Sequence, residues 1–140
     1  MKLASFDIFD TTLIRKCGKP ENIFYLLAHR LYPNDTAKRE AFLVWRRKAE
    51  NEARRKHPGK DVTIDDIYSS NELKGFNEYD RKELIETEKS VEAEQLTANP
   101  AIRDIINGKR EQGYTICFIS DMYLPSTILK EVLAREGCIK

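Results

Sequence analysis

Residues 3–13, LASFDIFDTTL, and residues 115–125, TICFISDMYLP, decide the fold of this chain. Each segment begins with a short apolar run and then opens a turn, at Asp7 in the first and at Ser120 in the second. Continuous apolar runs bounded by turn residues are typical of strands buried on both faces of a parallel sheet. Ligands of such sheets bind beyond the carboxyl ends of the strands. The two segments therefore predict a carboxylate and a hydroxyl that share one pocket.

The composition argues against several classes of function. Among 140 residues, 24 basic side chains nearly balance 23 acidic ones, so no net field points to nucleic acid or to a membrane surface. We expect no leader-like segment before the first strand, and no apolar run approaches the length of a bilayer span. Three cysteines without C-x-x-C spacing indicate neither a disulfide framework nor a zinc site, and Cys117 is expected in the core. We expect a cytoplasmic protein with no nucleic-acid or membrane partner.

The chain between the two segments, residues 20–96, predicts mainly helices. Pro20 suits the first turn of one helix, and Thr36 is the expected cap of a second. That second helix should end at His57. Its apolar residues recur at intervals of three and four, which predicts one buried stripe: Ala41, Phe42, Trp45, Ala49 and Ala53.

Two further helices are predicted in this insert. Thr63 should cap a short one, with Asp66 completing a capping-box-like pair, and a loop should follow over residues 69–77. A longer helix over about residues 78–96 carries Glu88 and Glu92 beside apolar neighbours. A carboxylate next to a packed seam needs a cation or several donors.

The second helix offers the cations for these carboxylates: Arg46, Arg47 and Arg54. We therefore expect ion pairs between the second and the last helix of the insert. The alternative, that these charges form a solvated helix face, stays open for any single pair. After the insert, residues 101–112 predict a helix, residues 115–119 a strand, and residues after Pro125 a final helix.

Both segments resemble motifs of the haloacid dehalogenase-like (HAD) superfamily. Residues 5–11, SFDIFDT, are similar to its first motif, and residues 119–125, ISDMYLP, to its second. The insert resembles the helical cap of many members, and its residues 47–54, RKAENEAR, resemble one branch of predicted HAD hydrolases. The resemblance implies an α/β fold: a partial Rossmann-like parallel sheet as core, with a mainly helical cap inserted after the first strand. Residues 1–14 and 98–140 would form the core, and residues 15–97 the cap.

The resemblance also implies roles for individual residues. Asp7 would be the nucleophile, Ser120 would hold an oxygen of the transferred group, and Thr11 would order the turn after the first strand. A carboxylate can attack phosphorus and form an aspartyl phosphate, which splits one hydrolysis into two easier displacements. The substrate would then be a small phosphorylated molecule.

A magnesium ion belongs to this chemistry. Mg²⁺ prefers one or two carboxylates together with substrate oxygens and water, so the Asp7 carboxylate and the backbone carbonyl of Phe9 would form half of its site. The backbone N–H groups around Asp10 and Asp121 could add oxyanion donors. Asp121 would thus bind substrate, or alternatively orient the turn before Pro125.

The sequence departs from the family pattern at Phe9. Family phosphatases usually have an aspartate there, two residues after the nucleophile, as general acid and base. Asp10 is the candidate substitute, or a turn residue where the family often has glycine. Members that act on carbon–halogen bonds often lack this carboxylate too, so a dehalogenase-like hydrolase and a non-catalytic regulatory or interaction domain are the alternatives to a phosphatase.

The family's third and fourth motifs, a lysine and an acidic pair, would lie beyond Lys140. We do not assign the lysine to Lys130, which is expected on a helix that leads away from the pocket. We expect a truncated form that binds Mg²⁺ weakly and turns over slowly. A sheet with only two clear strands also has an exposed edge, through which the chain could self-associate.

Overall fold

A computed structural model of the chain describes residues 1–69, 76 and 78–139. Their fold is mixed α/β, mainly helical, with a small parallel sheet of two strands. The elements follow one another as β1 (Leu3–Asp7), β2 (Leu13–Arg15), α1 (Asn22–Leu31), α2 (Thr36–Lys56), α3 (Ile64–Ser69), α4 (Arg81–Gln95), β3 (Leu96–Ala98), α5 (Pro100–Glu111), β4 (Thr115–Ile119) and α6 (Ser126–Arg135).

The parallel sheet consists of β1 and β4, which are neighbours with Leu3 opposite Thr115 and Asp7 opposite Ile119. The prediction that these strands are buried on both faces is wrong. Along each strand, half-buried residues alternate with exposed ones, because successive side chains point to opposite faces and one face of the pair is open. Cys117 lies on that open face and is exposed, while Cys138 is the buried cysteine.

A second pair of strands was not predicted. β2 and β3 are antiparallel, with Leu13 opposite Ala98 and Arg15 opposite Leu96. The Lys16 N–H extends the pair by donating to the Gln95 carbonyl over 2.7 Å. This ladder ties together the two chain segments that lead into and out of the helical insert.

The ends of the insert helices follow local capping chemistry. α2 ends at Lys56, directly before His57 as predicted. Its cap is Asp35 rather than Thr36: the Asp35 backbone is extended and its carboxylate accepts from the Lys38 N–H over 3.0 Å, an arrangement that needs a non-helical residue. At α3 the predicted pair is confirmed, with Thr63 and Asp66 bonding each other's backbone N–H groups at 3.1 and 3.0 Å.

Most of the predicted loop over residues 69–77 lies outside the described residues, and Ser69 ends α3. The core is continuous from the β1 turn through α1, α2 and α4 to α6. Its aromatic centre lies in the insert, where Phe42 meets Phe76 edge to face with ring centroids 5.6 Å apart. Within the described part of the chain, no helix combines the length and apolar character that crossing a bilayer requires.

Candidate functional site

The structure brings Asp7 and Ser120 to the same end of neighbouring parallel strands. Asp7 lies opposite Ile119, and the Ile8 N–H continues the ladder by donating to the Ile119 carbonyl over 3.0 Å. Ser120 is the next residue. Adjacent strands lie about 5 Å apart, so the predicted neighbourhood of the two strand ends is confirmed. The Asp7 side chain is exposed there, and Ser120 is half-buried.

A tight turn follows Asp7 and is fastened by Thr12. The buried Thr12 hydroxyl donates to the Asp7 carbonyl over 2.7 Å, and the Thr12 N–H points to the same oxygen at 3.3 Å. The expectation that Thr11 orders this turn is wrong, because the hydroxyl one residue later reaches the carbonyl. The Leu13 N–H completes the turn by donating to the Ile8 carbonyl over 2.8 Å.

We predict that Thr12→Val lowers the free energy of unfolding by about 1–2 kcal/mol, because valine keeps the shape and removes a buried hydroxyl donor. Urea unfolding of the purified variant measures this loss. Thr11→Val is the matched control, since Thr11 is only half-buried and lies in the same turn. Equal losses in the two variants would contradict the assignment of the turn to Thr12.

Asp10 occupies the left-handed region of backbone space, with φ at 60°. Aspartate, asparagine and glycine tolerate this conformation best, which supports its interpretation as a turn residue. Its N–H donates to the Leu13 carbonyl over 2.9 Å, so this one of the N–H groups around Asp10 is not available as an oxyanion donor. The Asp10 side chain is exposed at the same end of the sheet as Asp7.

The second turn holds Ser120 in place. The Ser120 oxygen accepts from the Met122 N–H over 3.2 Å, which leaves its proton free to donate. Ser120 also lines a cavity of about 500 Å³ between β4 and α6, together with Lys130. Lys130 of α6 thus shares a cavity with Ser120, whereas the expectation that α6 leads away from a pocket that contains Asp7 stays a prediction. Asp7 is not among the described residues that line this cavity, and Asp121 is exposed.

Phe9 points into the core. Its ring is buried, and the guanidinium of Arg15 lies 4.8 Å from the ring centroid. The stacking of a cation on an aromatic face is favourable, more so away from water. At this position the protein therefore offers only a backbone carbonyl to a ligand.

A buried ion pair joins α2 to α4, as the sequence predicts. Arg46 donates to both oxygens of Glu88, at 2.7 and 2.8 Å, and both side chains are almost wholly buried. Burial alone would lower the pKa of Arg46, but the Glu88 carboxylate holds it well above its ordinary value. Of the other two expected partners, Arg54 instead pairs with Glu50 on its own helix, and Arg47 is exposed.

Tyrosine hydroxyls extend this ion pair into a network. Tyr68 donates to Glu88 over 2.7 Å, and Tyr123 donates to Glu92 over 2.9 Å. Burial, with the adjacent carboxylate, raises the pKa of each tyrosine well above its ordinary value. Tyr123 belongs to the second turn, and its carbonyl accepts from the Ile64 N–H over 2.9 Å. The insert therefore holds the segment that follows Ser120.

Arg15 connects the network to the first turn. Its Nε lies 3.5 Å from Glu92 Oε2, and these two buried atoms have no hydrogen-bond partner within the described residues. Burial raises the pKa of Glu92, and the Arg15 charge opposes that shift only in part. Arg15 was not predicted. The sequence feature that could have indicated it is the pair Glu88 and Glu92, which lie one helical turn apart on one apolar face. Two buried carboxylates need two cations rather than one.

The raised pKa of Glu92 predicts a pH dependence. The pKa of the Glu92 carboxyl is raised above its ordinary value of 4.5, so this carboxyl stays protonated to higher pH in the folded protein than in the unfolded chain. The stability that it contributes is therefore present below pH 4.5 and is lost as pH rises through the raised pKa. We expect the unfolding free energy of the native protein, relative to Glu92→Gln, to fall as pH rises from about 4 towards neutrality. Urea unfolding at several pH values measures this difference. A difference that is constant or grows with pH would refute the assignment.

The residues present fit a magnesium ion only in part. Among the described residues, no three His, Cys, Asp or Glu side chains gather closely enough to hold a metal ion. Mg²⁺ nevertheless binds through a single carboxylate when substrate oxygens and water complete its shell. The exposed Asp7 carboxylate and the Phe9 carbonyl, both in the first turn, are compatible with such a site.

Neither a scan against models of protein families nor a search of curated proteins finds a match to this sequence.

Proposed function

We propose that the protein is an HAD-like hydrolase, a Mg²⁺-dependent phosphatase that works through an aspartyl-phosphate intermediate. The observation that carries the proposal is the parallel pairing of β1 with β4, which puts Asp7 opposite Ile119, the residue before Ser120, at one end of the sheet. Residues 1–14 and 98–140 would be a partial Rossmann-like core and residues 15–97 its cap. The β2–β3 ladder supports this division, because it joins the chain at both ends of the insert.

In this proposal the Asp7 carboxylate attacks phosphorus. A bond forms between a carboxylate oxygen and phosphorus, the bond from phosphorus to the leaving oxygen breaks, and the leaving oxygen takes up a proton. Water then attacks the acyl phosphate, which releases inorganic phosphate and regenerates the carboxylate. The Ser120 hydroxyl, whose proton is free, donates to a phosphoryl oxygen during both steps.

Three residues of the turns assist. Asp10 is the candidate acid and base, since its exposed carboxylate lies three residues from Asp7 in the same turn. Thr11 and Asp121 would contact the substrate, Thr11 from the first turn and Asp121 from the second. A Mg²⁺ ion held by the Asp7 carboxylate and the Phe9 carbonyl would neutralise charge on the phosphoryl group.

One observation favours the rival functions. Phe9 stacks on Arg15 in the core, where a phosphatase of this family would present a carboxylate. A non-catalytic regulatory or interaction domain would need no carboxylate there, and a dehalogenase-like hydrolase would keep the Asp7 nucleophile without using a metal.

A titration with Mg²⁺ and beryllium fluoride, a mimic of the phosphoryl group, tests the proposal. We expect Mg²⁺ and beryllium fluoride each to tighten the binding of the other, because both would contact Asp7. Ser120→Ala should weaken the binding of beryllium fluoride more than the binding of Mg²⁺. The matched control is Ser90→Ala, an exposed serine on α4. Independent binding, or none, would favour the non-catalytic domain. Metal-independent release of chloride from a chlorinated acid would favour the dehalogenase.

A further inference from the structure

We propose that the cavity between β4 and α6 binds a small amphiphilic anion, with the apolar body of the ligand inside and its charged head on Lys130. The cavity has a volume of about 500 Å³, within the range of sites that enclose small molecules. Its walls are mostly aliphatic and aromatic, which gives an apolar ligand surface to bury. They include Ile8, Ile116, Phe118, Leu129, Leu133 and Ile139.

The charge of the ligand follows from the polar groups of the cavity. Ser120, Ser126 and Lys130 are the hydroxyl and ammonium groups on its lining, and Lys130 is the only charged residue there within the described part of the chain. Lys130 is exposed and takes part in no ion pair or hydrogen bond with the described residues. A lysine commonly lays its methylene stem on apolar surface and keeps its ammonium at the rim. A single anionic head, a carboxylate or a phosphate monoester, complements this arrangement.

A second copy of the chain is the competing occupant, because the open face of the sheet also exposes apolar residues such as Leu3 and Ile119. The charge of Lys130 argues against it. A symmetric dimer pairs the same patch of both subunits, so contact centred on this cavity would bring two Lys130 ammonium groups together without a described acid on the lining. Like charges in such contact are unfavourable.

The inference does not rest on the proposed function. Ser120 belongs both to the cavity and to the strand end beside Asp7, so a ligand in the cavity would lie next to the proposed phosphoryl site. Binding would nevertheless occur in a protein without any catalytic activity, because Asp7 contributes nothing to the lining.

The test is a titration of the isotope-labelled protein with octanoate and with octyl phosphate, followed by amide NMR shifts. We expect saturable shifts at Ile116, Phe118 and Leu129 with at least one of the two anions, and none with octylammonium, which shares the chain but carries the opposite charge. Lys130→Met keeps the stem and removes the ammonium, and should weaken binding roughly tenfold or more. Lys60→Met, at an exposed lysine far from these residues in the sequence, is the control and should change nothing.

Any of three titration results would overturn the inference: no saturable shift with either anion, equal affinity in Lys130→Met, or equal binding of octylammonium. Shifts at the same amides that depend on protein concentration in the absence of ligand would assign the cavity to a second copy instead, and would equally overturn it. Because Lys130 is exposed, its replacement should leave the fold intact, and the unchanged amide spectrum away from the cavity verifies this.

Discussion

Replacing Arg46 with methionine is expected to destabilise the protein by about 3–5 kcal/mol, the usual effect of removing one partner of a buried ion pair. Methionine fills much of the same volume, so the loss comes from Glu88, whose carboxylate remains fully buried and loses both of its bonds to Arg46 while it keeps the bond from the Tyr68 hydroxyl. The contacts of the guanidinium with aromatic rings, such as that of Phe24 at 4.5 Å, add to the loss. Urea or thermal unfolding measures the change.

Two further variants separate the charge from the packing. Replacing both partners, Arg46→Met with Glu88→Leu, should recover most of the stability, because an apolar pair of similar volume avoids the cost of buried charge. Arg54→Met, on the same helix but at an exposed ion pair, should have little effect. If Arg46→Met does not fold, Tyr68→Phe isolates one bond to Glu88 and should cost about 1–3 kcal/mol. A double variant as unstable as the single one would contradict the account.

Replacing Asp7 with asparagine is expected to abolish Mg²⁺-dependent release of phosphate from an aryl phosphate, with a loss of roughly a thousandfold or more. Asparagine is nearly the same size but carries no anionic oxygen to attack phosphorus. Because the Asp7 side chain is exposed and the turn is held through its backbone carbonyl, the fold should persist. Phosphate release and urea unfolding are measured side by side.

The matched control for Asp7→Asn is Asp104→Asn, an exposed carboxylate on α5, which should leave the rate unchanged. Asp10→Asn should reduce the rate by roughly a hundredfold if Asp10 acts as acid and base. An Asp7→Asn variant that keeps its rate would reject Asp7 as the nucleophile, whatever happens at Asp10.

The features that the sequence predicts correctly depend on short-range patterns. Two apolar runs with turn residues at their ends predict β1 and β4, and the rule that parallel strands share a carboxyl edge places the end of β1 beside the end of β4. Capping residues predict the start of α3, and a carboxylate on an apolar helix face predicts the pairing of Glu88 with Arg46. Each of these inferences uses the residue pattern of a single helix or strand together with one physical requirement, such as a hydrogen-bond partner for a buried charge.

The features that the sequence did not predict depend on tertiary placement. The strands looked buried on both faces because apolar composition does not show which faces of a sheet the helices cover. Thr11 and Thr12 are chemically alike, and only the path of the turn decides that Thr12 reaches the Asp7 carbonyl. The three-residue strands β2 and β3 are too short to show a period. Lys130 lines a cavity together with Ser120 because of how α6 packs, and composition does not specify that packing.

The most direct test of the central claim, that Asp7 forms a covalent bond with a phosphoryl group held beside Ser120, is to trap the intermediate. The protein is mixed with Mg²⁺ and an aryl phosphate and then treated with borohydride, which reduces an acyl phosphate to an alcohol, and peptide mass spectrometry locates the reduced residue. We predict reduction at Asp7 in the native protein, less in Ser120→Ala and none in Asp7→Asn. Reduction at another carboxylate, or none while phosphate is being released, would contradict the account.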